Sequence, residues 1–362
     1  MALFVDLAGA CSTILANMKD LAKNNYAFML SSKTGTLDFL TNPVNGSVKL
    51  ELNNAQVGKK YVKTKVLYKQ RTKPCQILTD ASVGDLCDTP STPVEKSTDV
   101  TITRRVGTKP KKFSNADMIN ICQDTQAFIN EYLLSDMTAM RTRVNQIALS
   151  IIAAGIGKNY EQDGTTTAAG AYKNINLLKT PTGFPQVPDY PGLAEIKGDY
   201  DNNQLNGYPH LIGQGYLQRF MDLANYSCCN SAGVSYDSAI AKSGLAFYLD
   251  QSANTVLGAN KFLSIAPNVT HLLWFNENNN IGINTQTVQH LVIPDPIYPS
   301  LKWDFDFKWD ECDKAWIYTL SAWFDIFNAI KSDAFSSDAG TPDCDDELLG
   351  MTGIFGYTAQ AS

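Results

Sequence analysis

Apolar residues recur every three or four positions from Ser114 to Gly155, at Met118, Ile121, Cys122, Phe128, Ile129, Tyr132, Leu133, Met137, Met140, Val144, Ile147, Ala148, Ile151 and Ile152. That spacing lays one buried stripe along a helix. Ser114 with Asp117 three residues on has the form of a capping box, and Gly155 is a natural stop. Some forty residues at 1.5 Å rise make a rod of roughly 60 Å. Thr125 and Asp136 interrupt an a/d seam, which excludes a coiled coil and points to a rod lying on a sheet or a neighbouring subunit. The alternative is two shorter helices broken near Ser135–Asp136.

A second clear pattern has a period of two. Trp303, Phe305, Phe307 and Trp309 alternate with Asp304, Asp306, Lys308 and Asp310, and after a turn at Glu311–Lys314 the alternation returns at Trp316, Tyr318, Leu320, Ala322 and Phe324. This predicts an antiparallel hairpin with one aromatic face, and the helical stripe is its natural partner. The acidic alternate face reads as solvated strand surface; Asp304, Asp306, Asp310 and Asp313 lack the glycine and glutamate offsets of a calcium loop.

Between residues 49 and 113 two stretches of strand character flank the loop-like 79–98, so the segment reads as a long two-stranded excursion. Residues 1–30 suggest an amphipathic helix and a connecting arm. Residues 156–292 mix short helical and strand patches as a compact α+β domain, and the end of the chain is acidic, then glycine-rich.

Charge changes the picture. The first 150 residues hold 19 Lys+Arg against 13 Asp+Glu, and the remainder 11 against 23, so the chain is electrically polar although its formal net charge is only −6. The basic excess gathers on the excursion, at Lys59, Lys60, Lys63, Lys65, Lys69, Arg71 and Lys73 on one leg and Arg104, Arg105, Lys109, Lys111 and Lys112 on the other. Three readings remain open: a ribbon lying across the acidic surface of a neighbouring copy, a ribbon contacting nucleic acid, and lysines that keep exposed edges from aggregating. An isolated two-stranded ribbon is marginal in water, so something outside the subunit is expected to hold it.

Candidate chemistry adds little. The three histidines, His210, His271 and His290, are scattered. Cysteines 11, 75, 87, 122, 228, 229, 312 and 344 show no C-x-x-C and read as reduced thiols. The Gly-Lys at 157–158 lacks the remainder of a phosphate loop, and Gly213-Gln-Gly215 lacks the third glycine of a dinucleotide fingerprint. No catalytic, cofactor or metal site is expected, nor a signal peptide or membrane span. A carbohydrate-active hydrolase using Trp303, Trp309, Trp316 and Trp323 is the rival from another class.

The order of these elements resembles the major capsid proteins of tailed bacteriophages, built on the Hong Kong 97-type α+β fold. The passage FSNADMINICQDTQAFINEYLLSDMTAMRTRVNQIALSIIAAGIG is similar to that family's passage from extended loop to spine helix, and GYPHLIGQGYLQRFMDLANYSCCN looks like versions from phages of Bacteroidetes-type hosts. The resemblance implies an N-terminal arm (1–48), an extended loop (49–113), a spine helix with the first part of the peripheral domain (114–190), an axial domain (191–292), a closing peripheral hairpin (293–335) and a C-terminal tail (336–362). It further implies pentamers and hexamers in an icosahedral shell. The extended loop, through Lys59, Lys60, Lys63, Lys65, Lys69, Arg71, Lys73, Arg104, Arg105 and Lys109, would bridge subunits. The spine would bury Met118, Ile121, Phe128, Tyr132, Met140, Ile147 and Ile151. Portal, separate scaffold and possible decoration proteins would be partners, with packaged DNA met through charge alone and no membrane. The protein would be made in the host cytoplasm and reside in the virion. A tail or baseplate protein is the alternative within the virion. Nothing in the sequence marks a Lys/Asn cross-linking pair or a fused scaffolding domain.

Overall fold

Thirty residues from Thr125 to Ala154 form an unbroken α-helix, about 45 Å long, that passes from one hydrophobic core into another. The structure, a computed structural model, describes residues 34–41, 50–52, 62–69, 95–114, 125–182, 186–226, 244–278, 288–328 and 352–362.

In chain order, helix α1 (Gly35–Thr41) is followed by strands β1 (Leu50–Leu52), β2 (Val62–Lys69) and β3 (Glu95–Ile102), which form a three-stranded antiparallel ribbon. The two-stranded excursion expected from the sequence thus gains a third strand. Strands β4 (Arg104–Gly107) and β5 (Lys111–Ser114) leave the ribbon and pair with the central sheet, so the excursion rejoins the body at Arg104 rather than after 113. The long helix is α2. Ser114 closes β5, and Met118, Ile121 and the proposed cap partner Asp117 lie outside the described residues.

Strands β6 (Asn159–Tyr160) and β7 (Thr166–Thr167) make a small hairpin after α2. Next come β8 (Tyr172–Lys179), β9 (Val187–Pro188), helix α3 (Tyr190–Asn202), β10 (His210–Gly213), helix α4 (Tyr216–Tyr226), β11 (Ala246–Leu249), the short helix α5 (Ala253–Val256) and β12 (Lys261–Ile265). Strands β13 (Thr270–Phe275), β14 (Val288–Pro294), β15 (Lys302–Asp310) and β16 (Ala315–Asn328) complete the central sheet, and β17 (Ile354–Ala361) ends the chain.

The central sheet runs β13-β16-β15-β14, with β4 and β5 on the other side of β16. Its hairpin has the register that strict alternation demands, Phe305 opposite Leu320 and Phe307 opposite Tyr318. Trp303, Phe305, Phe307, Tyr318, Leu320 and Phe324 meet Leu133, Leu134, Met137, Met140 and Val144 of α2 in one core. Each such side chain, fully buried, contributes about 1.5–3 kcal/mol.

The second sheet has the order β11-β10-β12-β17-β8-β9. Its core receives Leu193, Ile196 and Tyr200 of α3 and Leu217 and Phe220 of α4. A Cβ at Gly192 would stand 2.0 Å from the Asn176 carbonyl oxygen, so the close seating of α3 on β8 requires glycine there. The last turns of α2 enter a third cluster, where Ala148, Leu149 and Ile152 meet Phe39, Ile212, Leu263, Ile326 and Ile354.

Two sequence expectations differ from this arrangement. The stretch 336–362, read as a tail, ends in β17, which lies inside the second sheet between β12 and β8. The mixed segment 156–292 divides: β6 and β7 pair only with each other, the strands from β8 to β12 enter the second sheet, and β13 and β14 belong to the central one.

Candidate functional site

Three buried polar residues on α2 fasten the helix to three different parts of the molecule. Asp136, at the position where a break was the alternative, is 8% exposed, accepts a hydrogen bond from the Tyr318 hydroxyl at 2.8 Å and pairs with Lys111 Nζ at 2.5 Å. The helix continues through it because β5 and β16 supply its partners. Burial, then the neighbouring Asp136 carboxylate, raises the Tyr318 pKa above its ordinary 10.0, so the phenol stays a donor.

Arg141 reaches the turn after β14. Its guanidinium donates to both oxygens of Asp295, at 2.9 and 3.0 Å, with both side chains almost wholly buried. Asp295 also accepts from Trp303 Nε1 at 3.0 Å and from the Ile297 and Tyr298 amides at 2.9 and 3.0 Å. Such an ion pair is tolerable in a low-dielectric interior because so many lone pairs are occupied.

Asn145 joins α2 to α1 and to the end of β11. Its amide nitrogen donates to both oxygens of Asp250, at 3.0 and 2.8 Å, and its carbonyl oxygen accepts from the Leu37 amide at 3.1 Å. Asp250 is fully buried and accepts as well from the Thr36 amide at 2.9 Å, the Thr36 hydroxyl at 2.5 Å and the Ser252 amide at 2.8 Å. A Cβ at Gly35 would fall 2.6 Å from the Leu249 carbonyl oxygen, so α1 lies directly on β11. Helix α1 thereby pins the junction of the two main sheets.

A fourth buried network lies in the second sheet. Lys173 of β8 contacts Asp199 at 2.8 Å, Glu195 at 2.8 Å and Glu161 at 3.2 Å, and Asp199 accepts from the Tyr357 hydroxyl at 3.1 Å. Burial opposes the lysine charge, but hydrogen bonds to Asp199 and Glu195 outweigh it, and the Lys173 pKa rises.

The candidate bridging residues fall into three groups. Lys59, Lys60, Arg71 and Lys73 lie outside the described residues. Lys63, Lys65 and Lys69 are on β2; in register they stand opposite Thr101, Asp99 and Glu95. Arg104 and Arg105, on β4, engage their own chain: Arg104 pairs with Asp325, and Arg105 donates to Ser321 Oγ at 3.1 Å, lies 5.5 Å from the centre of the Trp323 ring and is 3.8 Å from Glu277. Lys112 pairs with Asp313 at 2.7 Å, and Lys109 is exposed between β4 and β5. Part of the basic excess therefore fastens the sheet edge to the acidic later half of the same chain. Where β4 and β5 part, Arg105, Gly107, Thr108, Thr319, Leu320 and Ser321 line an open groove of about 340 Å³.

On the spine, Met140 is buried and Ile147 and Ile151 are partly buried against the cores. Phe128 lies within α2. Tyr132, expected on the core face, is 41% exposed; its ring stands edge-on to Phe113, with Lys111 Nζ 5.3 Å from its centre, at the margin of the stripe. The acidic face of β15 is not solvated throughout. Asp304 is 1% exposed and accepts from the Glu277 and Asn278 amides at 2.8 and 3.1 Å, while Asp306 lies 2.8 Å from His290 Nδ1. Burial raises the Asp304 pKa. Sequence reasoning missed Arg141, Asn145, Asp250 and Asp295; for Arg141 and Asn145 the available signal was a polar residue set within or beside an apolar helical stripe, and for the two aspartates, each just past a strand, there was none.

Among the described residues no cluster of three or more His, Cys, Asp or Glu side chains is arranged to hold a metal, and no helix is long and apolar enough to cross a membrane.

No protein-family model and no curated protein matches the sequence. Solved structures do align with it. The cyanophage A-1(L) capsid asymmetric unit aligns over 92% of this chain and 94% of its own, at 10% identity and a TM-score of 0.49. The capsid of Myoviridae phage XM1 aligns over 89% and 92%, at 12% identity and 0.42, and a Mycobacterium phage Bobi chain over 93% and 95%, at 13% and 0.43. The first two are phage capsid structures.

Proposed function

We propose that the protein is the major capsid protein of a tailed bacteriophage, forming pentamers and hexamers of an icosahedral head around double-stranded DNA. One observation carries the reading: a stiff body, with α2 fastened across two sheets by buried polar contacts, bears at the edge of its central sheet a separate ribbon of three strands. A ribbon of that kind is marginal by itself and gains stability when another surface receives it. Identical copies, each offering its ribbon to the next, make heterologous contacts that close into rings and shells. The ribbon (49–103 in this reading) is the bridging arm, α2 the spine, and the second sheet with α3 and α4 the axial domain. Of the arm expected at 1–48, α1 packs on its own body, and the part before it, outside the described residues, is the segment that would reach a neighbour on assembly. DNA meets the inner face by charge alone, and portal, scaffold and decoration proteins are its virion partners.

The test is to express the full chain alone and with scaffold candidates encoded beside it, then examine the products by analytical sedimentation and negative-stain microscopy. Closed shells or capsomer rings are expected. A chain that remains a compact monomer under every condition overturns the reading.

A further inference from the structure

We infer that Asn206 is a site of spontaneous covalent modification, at which the folded chain converts its own side-chain amide to aspartate and isoaspartate through a cyclic imide formed with Gly207. The inference is independent of the shell reading. Asn206–Gly207 is the one Asn-Gly pair among the described residues, and it lies in the loop that joins α3 to β10, with both residues exposed.

The fold creates the reactivity of this pair. Gly207 has a φ of 93°, and a Cβ there would stand 2.7 Å from Pro267 Cγ, so the position is built for glycine. The missing side chain in turn leaves the Gly207 nitrogen open to the Asn206 carboxamide. Among the described residues neither that backbone N–H nor the Asn206 side chain has a hydrogen-bond partner. The loop is tied down one atom away: the Tyr200 hydroxyl on α3 donates to the Asn206 main-chain carbonyl at 2.7 Å.

The atoms balance with solvent water alone. The Gly207 nitrogen gives its proton to solvent base and attacks Cγ of Asn206, a new C–N bond closes the imide ring, and the side-chain nitrogen leaves as ammonia. Water then opens the ring at either carbonyl. Cleavage at Cγ restores the ordinary chain with aspartate at this position. Cleavage at the main-chain carbonyl leaves the chain running through Cγ, longer by a methylene, and turns the carbonyl that Tyr200 holds into a free carboxylate. Either product carries one more negative charge than asparagine.

The β6–β7 hairpin shows the same pairing of groups with both engaged. Asp163–Gly164 is also exposed, and Gly164 has a φ of 85°. Its N–H, however, donates to the Glu161 carbonyl at 3.0 Å, and Asp163 Oδ1 accepts from the Thr165 amide at 2.9 Å and the Thr165 hydroxyl at 2.6 Å. The Thr165 hydroxyl, then its amide, hold the Asp163 pKa below its ordinary 3.8, and an ionised carboxylate is a poor electrophile. Asp163 therefore persists where Asn206 converts.

The experiment holds the full-length chain folded at mildly alkaline pH, beside a sample unfolded in guanidinium and an Asn206→Gln variant. Samples taken over time are digested and read to the residue by fragmentation mass spectrometry, with isoaspartyl methyltransferase labelling to mark the isomer. Asn206 in the folded chain is expected to gain the mass of an amide-to-acid exchange at a rate within about tenfold of the unfolded chain, because an exposed loop opens at almost no cost. The gain and the methyl label at this position should vanish in the variant, and the 159–167 hairpin should take up no label over the same period. Conversion slowed more than about tenfold by folding, an equal label at position 206 in the variant, or labelling of Asp163 as fast as of Asn206 overturns the inference and leaves the shell reading untouched.

Discussion

At the scale of single residues, the burial of polar groups decides more than the apolar pattern does. His210 is 8% exposed on β10, packs beside the rings of Phe39 and Tyr248 at 5.2 and 5.7 Å, and its Nδ1 has no hydrogen-bond partner. Burial lowers its pKa below the ordinary 6.5. The unfolded chain therefore takes up this proton first as pH falls, so the associated stability is present above about 6.5 and is lost on acidification, with a slope of at most about 1.4 kcal/mol per pH unit. His210→Leu removes the orphaned nitrogen and the titration together. Urea denaturation at pH 7 and pH 5 should show a smaller acid loss in the variant than in wild type. An identical loss in both would mean that His210 is not a source of acid sensitivity.

At the scale of elements, α2 behaves as a beam whose fastenings matter as much as its apolar stripe. Removing one partner of a buried ion pair leaves the other uncompensated, at a cost of about 3–5 kcal/mol. Asp295→Ala should cost that much in chemical denaturation, because Arg141, the Trp303 indole and two turn amides all lose their acceptor. The Arg141→Met/Asp295→Ala double variant should be less damaged than the sum of the single changes; strict additivity would show that the pair is not coupled. The beam and its hairpin were legible in the sequence for a definite reason. Trp303, Phe305 and Phe307 answer to a local period of two and Leu133, Met137 and Val144 to a helical spacing, and both periods are set by backbone geometry alone. The fastenings were not legible, since Arg141 with Asp295 and Asn145 with Asp250 are joined across 154 and 105 residues. The basic excess misled in the same way: Arg104 finds Asp325 and Lys111 finds Asp136 only once β4 and β5 are laid beside β16.

At the scale of the whole molecule, the last strand closes what the middle of the chain begins. GIFGYTAQA follows an acidic stretch and holds two glycines, so composition marked it as a tail; yet β17 runs parallel to β8 and antiparallel to β12, and Ile354, Phe355, Tyr357 and Ala359 are almost wholly buried. A parallel neighbour 184 residues away, as Gly356 is from Tyr172, leaves no local trace. Burial of those side chains is worth about 1.5–3 kcal/mol for each large one, a sum comparable with the whole stability of an ordinary domain, about 5–15 kcal/mol. The Tyr357 hydroxyl also meets Asp199, so losing the strand disturbs the Lys173 network. The core between α2 and the central hairpin draws nothing from β17. A chain ending at residue 351 should therefore lose native order in one half and keep it in the other. Hydrogen exchange should find the amides of β8, β10 and β12 unprotected while those of β15, β16 and the first turns of the described α2 stay slow. Persistent protection of β8 and β12 would show that the second sheet stands without its closing strand, and loss of protection throughout would show that α2 makes the two halves one cooperative unit.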